Sequence, residues 1–336
     1  MYVGYVQRGD KLELAATDPH LGTLFYTVDQ TNPDTASIRR DDGSCLSCHA
    51  STRTQSVPGL LIRSVSPDAA GRPLLRLGST NVDDTTPHAD RHGGWLVTGA
   101  PSNYDHRGNC IYDRDGDAVA EASDRLLDHV DENRYPVATS DLVALLVLQH
   151  QTQVHNAITL ANFETRIALH QSESMNELLH RPAGFVSDSA RRRIASVGDK
   201  LLARLLMVDQ APLPVAIDPT GPFARAFALR GCRDERGHSL RDFDLSQRIF
   251  RYPCSYLVLS ESFAALPAPV QSHVLGRLGR HLRQPNRDPS LGVLTDHQCE
   301  VIQGILTEHL SPQQAGWLLA EDPPKTKAHE DRTHPQ

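Results

Sequence analysis

This 336-residue chain is poor in aromatic residues, cysteine and methionine, and it contains no long apolar run. Without about eighteen consecutive apolar residues, a membrane-spanning helix is excluded. No compact basic run offsets the net charge of −7, which argues against sequence-independent binding to nucleic acid or to anionic membranes. Residues 1–30 show no charged segment followed by an apolar segment, so no signal peptide is visible.

Two of the six cysteines lie in the pentapeptide Cys45-Leu46-Ser47-Cys48-His49. Covalent attachment of a c-type haem requires this Cys-x-x-Cys-His spacing, because two thiols add across the two vinyl groups of one porphyrin and the next residue presents an imidazole to the iron. The pentapeptide therefore predicts one covalently attached haem c. Cys45 and Cys48 are its attachment points, and His49 is an iron ligand.

Two other interpretations of the pentapeptide fit the flanking sequence less well. A thioredoxin-like redox pair follows a strand in a βαβ unit and enters a helix, whereas turn-forming residues stand on both sides here. A zinc site needs a second ligand pair of comparable spacing, and the sequence has no other Cys-x-x-Cys. Zinc or dithiol chemistry thus remains the alternative to haem.

Haem c is attached on the outer side of the cytoplasmic membrane, so the pentapeptide predicts a periplasmic or otherwise exported protein. Because no leader is visible, we expect the native start to lie upstream of Met1. In an exported protein the remaining cysteines could form disulfides, although buried free thiols are equally compatible with the sequence. These cysteines are Cys110, Cys232, Cys254 and Cys299.

The sequence pattern changes near residue 136. Before it, short runs of β-branched and aromatic residues alternate with turn clusters, which predicts strands at Tyr2–Val6, Lys11–Ala15, Thr23–Val28, Leu60–Val65, Pro73–Leu77 and Gly94–Thr98. We therefore predict an α+β protein. A loop-rich N-terminal half with short strands (1–135) carries the haem motif, a mainly α-helical half follows (136–320), and the polar tail (321–336) is disordered.

Helical periodicity dominates the second half. A long amphipathic helix is predicted from Asp141 to about Met175, with Ser140 as its cap. A second helix is predicted over 189–208. Further helices are expected at 222–230, 254–264, 267–283 and 296–309, and Ser311, Pro312 and Gln314 form the start signature of a last one.

The second axial iron ligand is not fixed by the pentapeptide. Apart from Met1, the chain has only Met175 and Met207, and both fall within predicted helices, so methionine ligation is disfavoured. A second histidine or an open position remains. His150 and His155 are five positions apart on the predicted long helix and cannot both face one metal.

Several segments resemble an uncharacterised family of cytochrome c domain proteins from planctomycetes and related bacteria. The resemblance extends from the first strand to about residue 290 and rests on the pentapeptide and on 53–55, 57–59, 61–65, 93–99, 106–109, 150–156 and 248–257. It implies haem binding and electron transfer and gives no substrate. Where that family has His-Met-Gly-Asn, this chain has His106-Arg107-Gly108-Asn109. The histidine persists, so the resemblance favours His106 as the sixth ligand over His150, His155 or an open position.

Three further residues are candidates for haem contacts. Arg53 and Arg63 flank the pentapeptide, and guanidinium groups suit the two haem propionates. Trp95 follows two glycines and could supply one aromatic wall. Surface charge explains the arginines equally well, and core packing explains the tryptophan.

Two function classes follow from a single haem. With both axial positions filled, the protein transfers electrons to and from a redox partner of unknown identity. With an open sixth position, it is a haem enzyme of peroxidase type or a ligand sensor. The large helical half favours the second class, but a second Cys-x-x-Cys-His is lacking, which excludes a di-haem peroxidase arrangement. We expect electron transfer and leave enzymatic activity open.

Overall fold

In the computed structural model, the residues described are 1–5, 9–31, 36–121, 131–137, 139–285 and 288–321. They form eight strands and eight α-helices, with the strands in the N-terminal half and the helices mostly in the C-terminal half, so the α+β prediction is confirmed. The predicted disordered tail lies, apart from Glu321, outside the described residues. No helix among the described residues combines the length and the apolar character needed to cross a bilayer.

The largest sheet is antiparallel and has the order β1-β2-β3-β4. Its strands are β1 (Tyr2–Tyr5), β2 (Lys11–Asp18), β3 (Gly22–Asp29) and β4 (Ile38–Arg40). Asp18 closes the β2–β3 hairpin, because its carboxylate accepts hydrogen bonds from the backbone N–H groups of His20 and Leu21, both at 2.8 Å. Two small antiparallel pairs follow: β5 (Arg63–Val65) with β6 (Ser79–Asn81), and β7 (Cys110–Tyr112) with β8 (Ala118–Glu121).

Helices dominate the remainder of the chain. A single turn, α1 (Leu46–His49), lies within the pentapeptide. The longest helix, α2 (Leu142–Leu178), has 37 residues and is therefore about 55 Å long. The others are α3 (Asp188–Leu205), α4 (Pro222–Leu229), α5 (Glu261–Ala264), α6 (Ala268–Arg283), α7 (Asp296–His309) and α8 (Pro312–Leu319).

The hydrophobic core is continuous across residue 136. Helix α2 packs along α3, α3 packs against α6, and α6 packs against α8. Val57, Val97 and Tyr104 of the N-terminal half belong to the same buried cluster as the helical residues. The boundary between the two predicted halves at residue 136 stays a prediction. In the structure, buried contacts join the residues on its two sides.

The structure corrects several predicted elements. Residues 94–98 form no strand, because the side chain of Asn109 pairs with the backbone N–H and C=O of Val97 at 2.7 and 2.8 Å, where a neighbouring strand would otherwise bind. The segment predicted as a strand at Pro73–Leu77 contains a 3-10 turn, Leu75–Leu77. Helix 254–264 is instead a 3-10 turn, Tyr256–Leu259, followed by α5. Strands β4, β6, β7 and β8 were not predicted.

Helix capping was predicted in part. Asp141, and not Ser140, caps α2, because its Oδ1 accepts hydrogen bonds from the N–H groups of Val143 and Ala144. The backbone N–H of Ser140 binds Thr98 instead. The Ser311 cap of α8 is confirmed, and Gln314 completes its capping box.

Candidate haem-attachment site

The pentapeptide folds as one helical turn. The backbone N–H groups of Cys48 and His49 both donate to the carbonyl of Cys45, at 3.2 and 3.0 Å. Residues three and four positions apart lie on the same face of a helix. Cys48 and His49 are consequently both neighbours of Cys45 within one helical turn, the spacing that attachment to a single haem requires.

Asp41 fixes the start of this turn. Its Oδ2 accepts hydrogen bonds from the N–H groups of Gly43 and Cys45 at 2.9 and 3.0 Å. Burial and the neighbouring Asp41 raise the pKa of the Cys45 thiol. A reactive redox dithiol requires a lowered thiol pKa, so this environment does not favour thioredoxin-like chemistry. Both Cys45 and Cys48 are free thiols.

Hydrogen bonds orient the imidazole of His49. Its Nδ1 lies 2.9 Å from the carbonyl oxygen of Gly59, and a carbonyl only accepts, so Nδ1 carries the proton. In the neutral ring Nε2 then keeps its lone pair and can bind a metal, which is the arrangement that metal-binding histidines adopt. The N–H of Gly59 and the hydroxyl of Thr54 both donate to the His49 carbonyl. The ring of Phe25 packs 4.7 Å from the imidazole.

Helix α2 holds the carbonyl that orients His49. The side chain of Asn156 accepts a hydrogen bond from Leu60 N–H at 2.8 Å and donates to the Leu60 carbonyl at 2.7 Å. A Cβ on Gly59 would approach Asn156 Oδ1 to 2.5 Å, so only glycine allows this contact. A buried amide nearly a hundred residues away in sequence therefore positions the imidazole.

Arg63 and Trp95 lie next to each other. The indole N–H of Trp95 donates to the backbone carbonyl of Arg63 at 3.1 Å, and the Arg63 guanidinium donates to Ser79. Among the described residues, no hydrogen bond or ring contact joins either side chain to the pentapeptide. Arg53 is exposed in the 3-10 turn Thr52–Thr54, immediately after the pentapeptide.

His106 belongs to another cluster. Its ring lies 6.0 Å from the rings of His92 and Tyr104, and burial lowers its pKa. Its Nδ1 accepts a hydrogen bond from Gly108 N–H at 3.0 Å, which places the proton of the neutral ring on Nε2. Iron ligation through Nε2 would require this proton to move to Nδ1. His106 as the sixth ligand therefore stays a prediction.

The other two histidine candidates are less accessible. Both ring nitrogens of His150 are engaged, Nδ1 with Asp84 Oδ2 at 3.1 Å and Nε2 with Ser255 Oγ at 2.8 Å. His155 packs edge-on against Tyr2 with a centroid separation of 6.3 Å, and burial lowers its pKa to about 4.

The sequence favoured a buried, hydrogen-bonded role for His150, which the structure confirms, but it did not identify the partners of this histidine. The Asp84–His150–Ser255 hydrogen bonds have the order of a serine-hydrolase relay. However, His150 and Ser255 are completely buried and Asp84 is 1% exposed, so no substrate can reach the hydroxyl. Arg91 is also buried, and it donates to Thr86 O, Asp84 O and Gln149 Oε1. The network joins the N-terminal half to α2 and to the segment before α5.

The remaining cysteines contribute no disulfide. Cys254 and Cys299 are buried, Cys110 is half-buried and Cys232 is exposed, and all are free thiols. Burial raises the pKa of Cys254 to about 12, so this thiol is inert at neutral pH.

The described residues contain no cluster of three or more histidine, cysteine or carboxylate side chains able to hold a metal ion. No protein-family model, no curated protein and no solved structure matched this chain. Interpretation of the pentapeptide consequently rests on its own geometry.

Proposed function

We propose that this protein is a c-type cytochrome, with one haem c attached through Cys45 and Cys48 and its iron bound by His49. The observation that carries the proposal is the hydrogen bond between His49 Nδ1 and the Gly59 carbonyl, which leaves Nε2 able to bind a metal in the same helical turn that carries both thiols.

Cys45, Cys48 and His49 are chemically suited to hold a haem c. Two free thiols three positions apart and an imidazole of fixed tautomer are the donor set of haem c, and the absence of a disulfide between the thiols leaves both free to form thioethers. When bound, the haem supplies one-electron iron chemistry. Asp41 and Gly59 hold the attachment residues, and Phe25 shields one side of the imidazole.

Electron transfer to a redox partner is the proposed role. Cys48 is exposed and Cys45 is half-buried, which would bring one haem edge to the surface where a partner can dock. In this proposal Arg53 or Arg63 binds a haem propionate, Trp95 supplies an aromatic wall, and the protein acts in the periplasm or elsewhere outside the cytoplasm. The resemblance to cytochrome c domain proteins supports the same role.

The environment of His106 favours one alternative. In the electron-transfer proposal His106 is the sixth ligand, which requires its Nδ1 to give up the hydrogen bond from Gly108. If that bond persists, the iron has an open position, and a peroxidase-like enzyme or a ligand sensor becomes the better description.

The test is an absorption spectrum of protein produced with periplasmic haem-assembly machinery. Oxidised and reduced spectra are recorded with and without carbon monoxide, after denaturation has established that the haem is covalent. We expect low-spin haem without a carbon monoxide shift, lost in Cys45→Ala and Cys48→Ala and retained in the controls Cys110→Ala and Cys232→Ala.

The outcomes separate the candidates. A His106→Ala variant of a low-spin protein should become high-spin and bind carbon monoxide. High-spin haem in the wild-type protein would replace electron transfer with the enzyme or sensor function. No covalent haem would refute the cytochrome proposal and leave the thiols to zinc or dithiol chemistry.

A further inference from the structure

A cleft of about 320 Å³ lies beside the turn 53–55 that follows the pentapeptide. One wall is the turn 53–55 that follows the haem motif, and the opposite wall is formed by α3 and by residues 208–209 that follow it. The floor belongs to α2. Apolar side chains cover part of the cleft, among them Leu160, Val197 and Leu201.

Cations stand on both walls. Arg53 lines the cleft from the turn, and Lys200 and Arg204 line it from α3. Arg204 is paired with Asp83 at 3.1 Å. In the described part of the chain, the side chains of Arg53 and Lys200 have neither an ion pair nor a hydrogen bond. The exposed carboxylate of Asp209 also lines the cleft, so the two free cations leave an excess of one positive charge.

We propose that this cleft binds the carboxylate of a small amphipathic acid. One carboxylate matches the excess charge and can accept hydrogen bonds from both Arg53 and Lys200, while a short aliphatic chain would cover the apolar side chains of α2 and α3.

Such a carboxylate has two sources. It could be a free short-chain acid, or it could be a propionate of the haem itself. The propionate source rests on the proposed function, whereas the free acid does not.

Two residues that line the cleft also help to position His49. Thr54 lines the cleft and donates its hydroxyl to the His49 carbonyl, and Asn156 lines it and holds Leu60 beside Gly59. A bound acid that contacts Thr54 and Asn156 would therefore change the geometry of the hydrogen bonds that orient the imidazole of His49. Binding should shift the reduction potential of the attached haem.

The experiment is calorimetric titration of the full-length protein with hexanoate. Hexylamine, which has the chain but no carboxylate, and inorganic phosphate, which is an anion without a chain, serve as comparison probes. We expect hexanoate alone to bind, and Lys200→Gln and Arg53→Gln each to weaken it about tenfold, the loss of one charge-assisted hydrogen bond. The control is Arg192→Gln, an exposed residue of α3 that does not line the cleft.

The sources are distinguished in the Cys45→Ala/Cys48→Ala protein, after circular dichroism has verified its fold. Equal hexanoate affinity with and without haem supports the free acid. Binding only without haem, together with a changed haem potential in Lys200→Gln, supports the propionate. No hexanoate binding in either protein and an unchanged potential in both cleft variants would overturn the inference. If the wild-type protein carries no haem, the hexanoate titration still decides between a free acid and no site.

Discussion

The close approach of α2 to Gly59 makes Gly59→Ala the most informative substitution. The added Cβ would lie 2.5 Å from Asn156 Oδ1, 3.0 Å from its Cγ and 3.3 Å from Thr54 Cβ. Overpacking of this kind costs about 1–3 kcal/mol. Displacement of the Asn156 amide also weakens its buried hydrogen bond to Leu60 N–H, which costs about 1–3 kcal/mol more. Because one movement produces both costs, we expect the free energy of unfolding to fall by about 2–4 kcal/mol.

Urea denaturation followed by circular dichroism measures this loss. Gly316→Ala is the matched control, because nothing lies within 4 Å of its added Cβ in α8, so helix propensity should stabilise it by about 0.5–1 kcal/mol. Asn156→Ala should cost less in the Gly59→Ala background than in the wild type, since the clash then disappears. Additive losses, or a Gly59→Ala protein as stable as the wild type, would show that the close contact between Gly59 and Asn156 does not limit stability.

Three other predictions concern the helical half, the acid sensitivity and the buried relay. Cys45→Ala and Cys48→Ala should abolish the pigment and leave the helical circular dichroism intact; its loss would show that the helices need the haem. Burial lowers the pKa of His88, beside Arg91 and Tyr104, to about 4. Below about pH 6.5, the ordinary pKa of an unfolded histidine, protons therefore bind His88 in the unfolded state first. His88 should contribute about 1–2 kcal/mol to the loss of stability between pH 7 and pH 5, a contribution that His88→Gln removes, as urea denaturation of both proteins at both pH values would measure. Ser255→Ala should lower the free energy of unfolding by about 1–3 kcal/mol, because His150 Nε2 loses its partner. A fluorophosphonate probe should leave the buried Ser255 of the native protein unlabelled, whereas labelling would restore the hydrolase interpretation.

Local signals were sufficient for part of the fold. Periodicity predicted α2, α3, α6 and α7 to within a few residues. Helices α3, α6 and α7 each bury a mainly apolar face, whereas α2 buries polar side chains as well, among them His150 and Asn156. The Ser311 capping box was predicted because its partners are three residues apart. The short strands β4, β6, β7 and β8 were missed because three or four residues give too little alternation to stand out from loops.

The sequence by itself determined the identity and the spacing of the candidate haem residues. Cys45, Cys48 and His49 lie within one helical turn, so their proximity follows from local geometry alone. Tertiary structure decided the tautomer of His49, since the Gly59 carbonyl is held by Asn156 of α2. It also decided that His150 is hydrogen-bonded to Asp84 and Ser255. The partners are 10 residues apart for His49 and Gly59 and 66 to 105 residues apart for the others, and the distant contacts arise only when the core between α2 and the N-terminal half has formed.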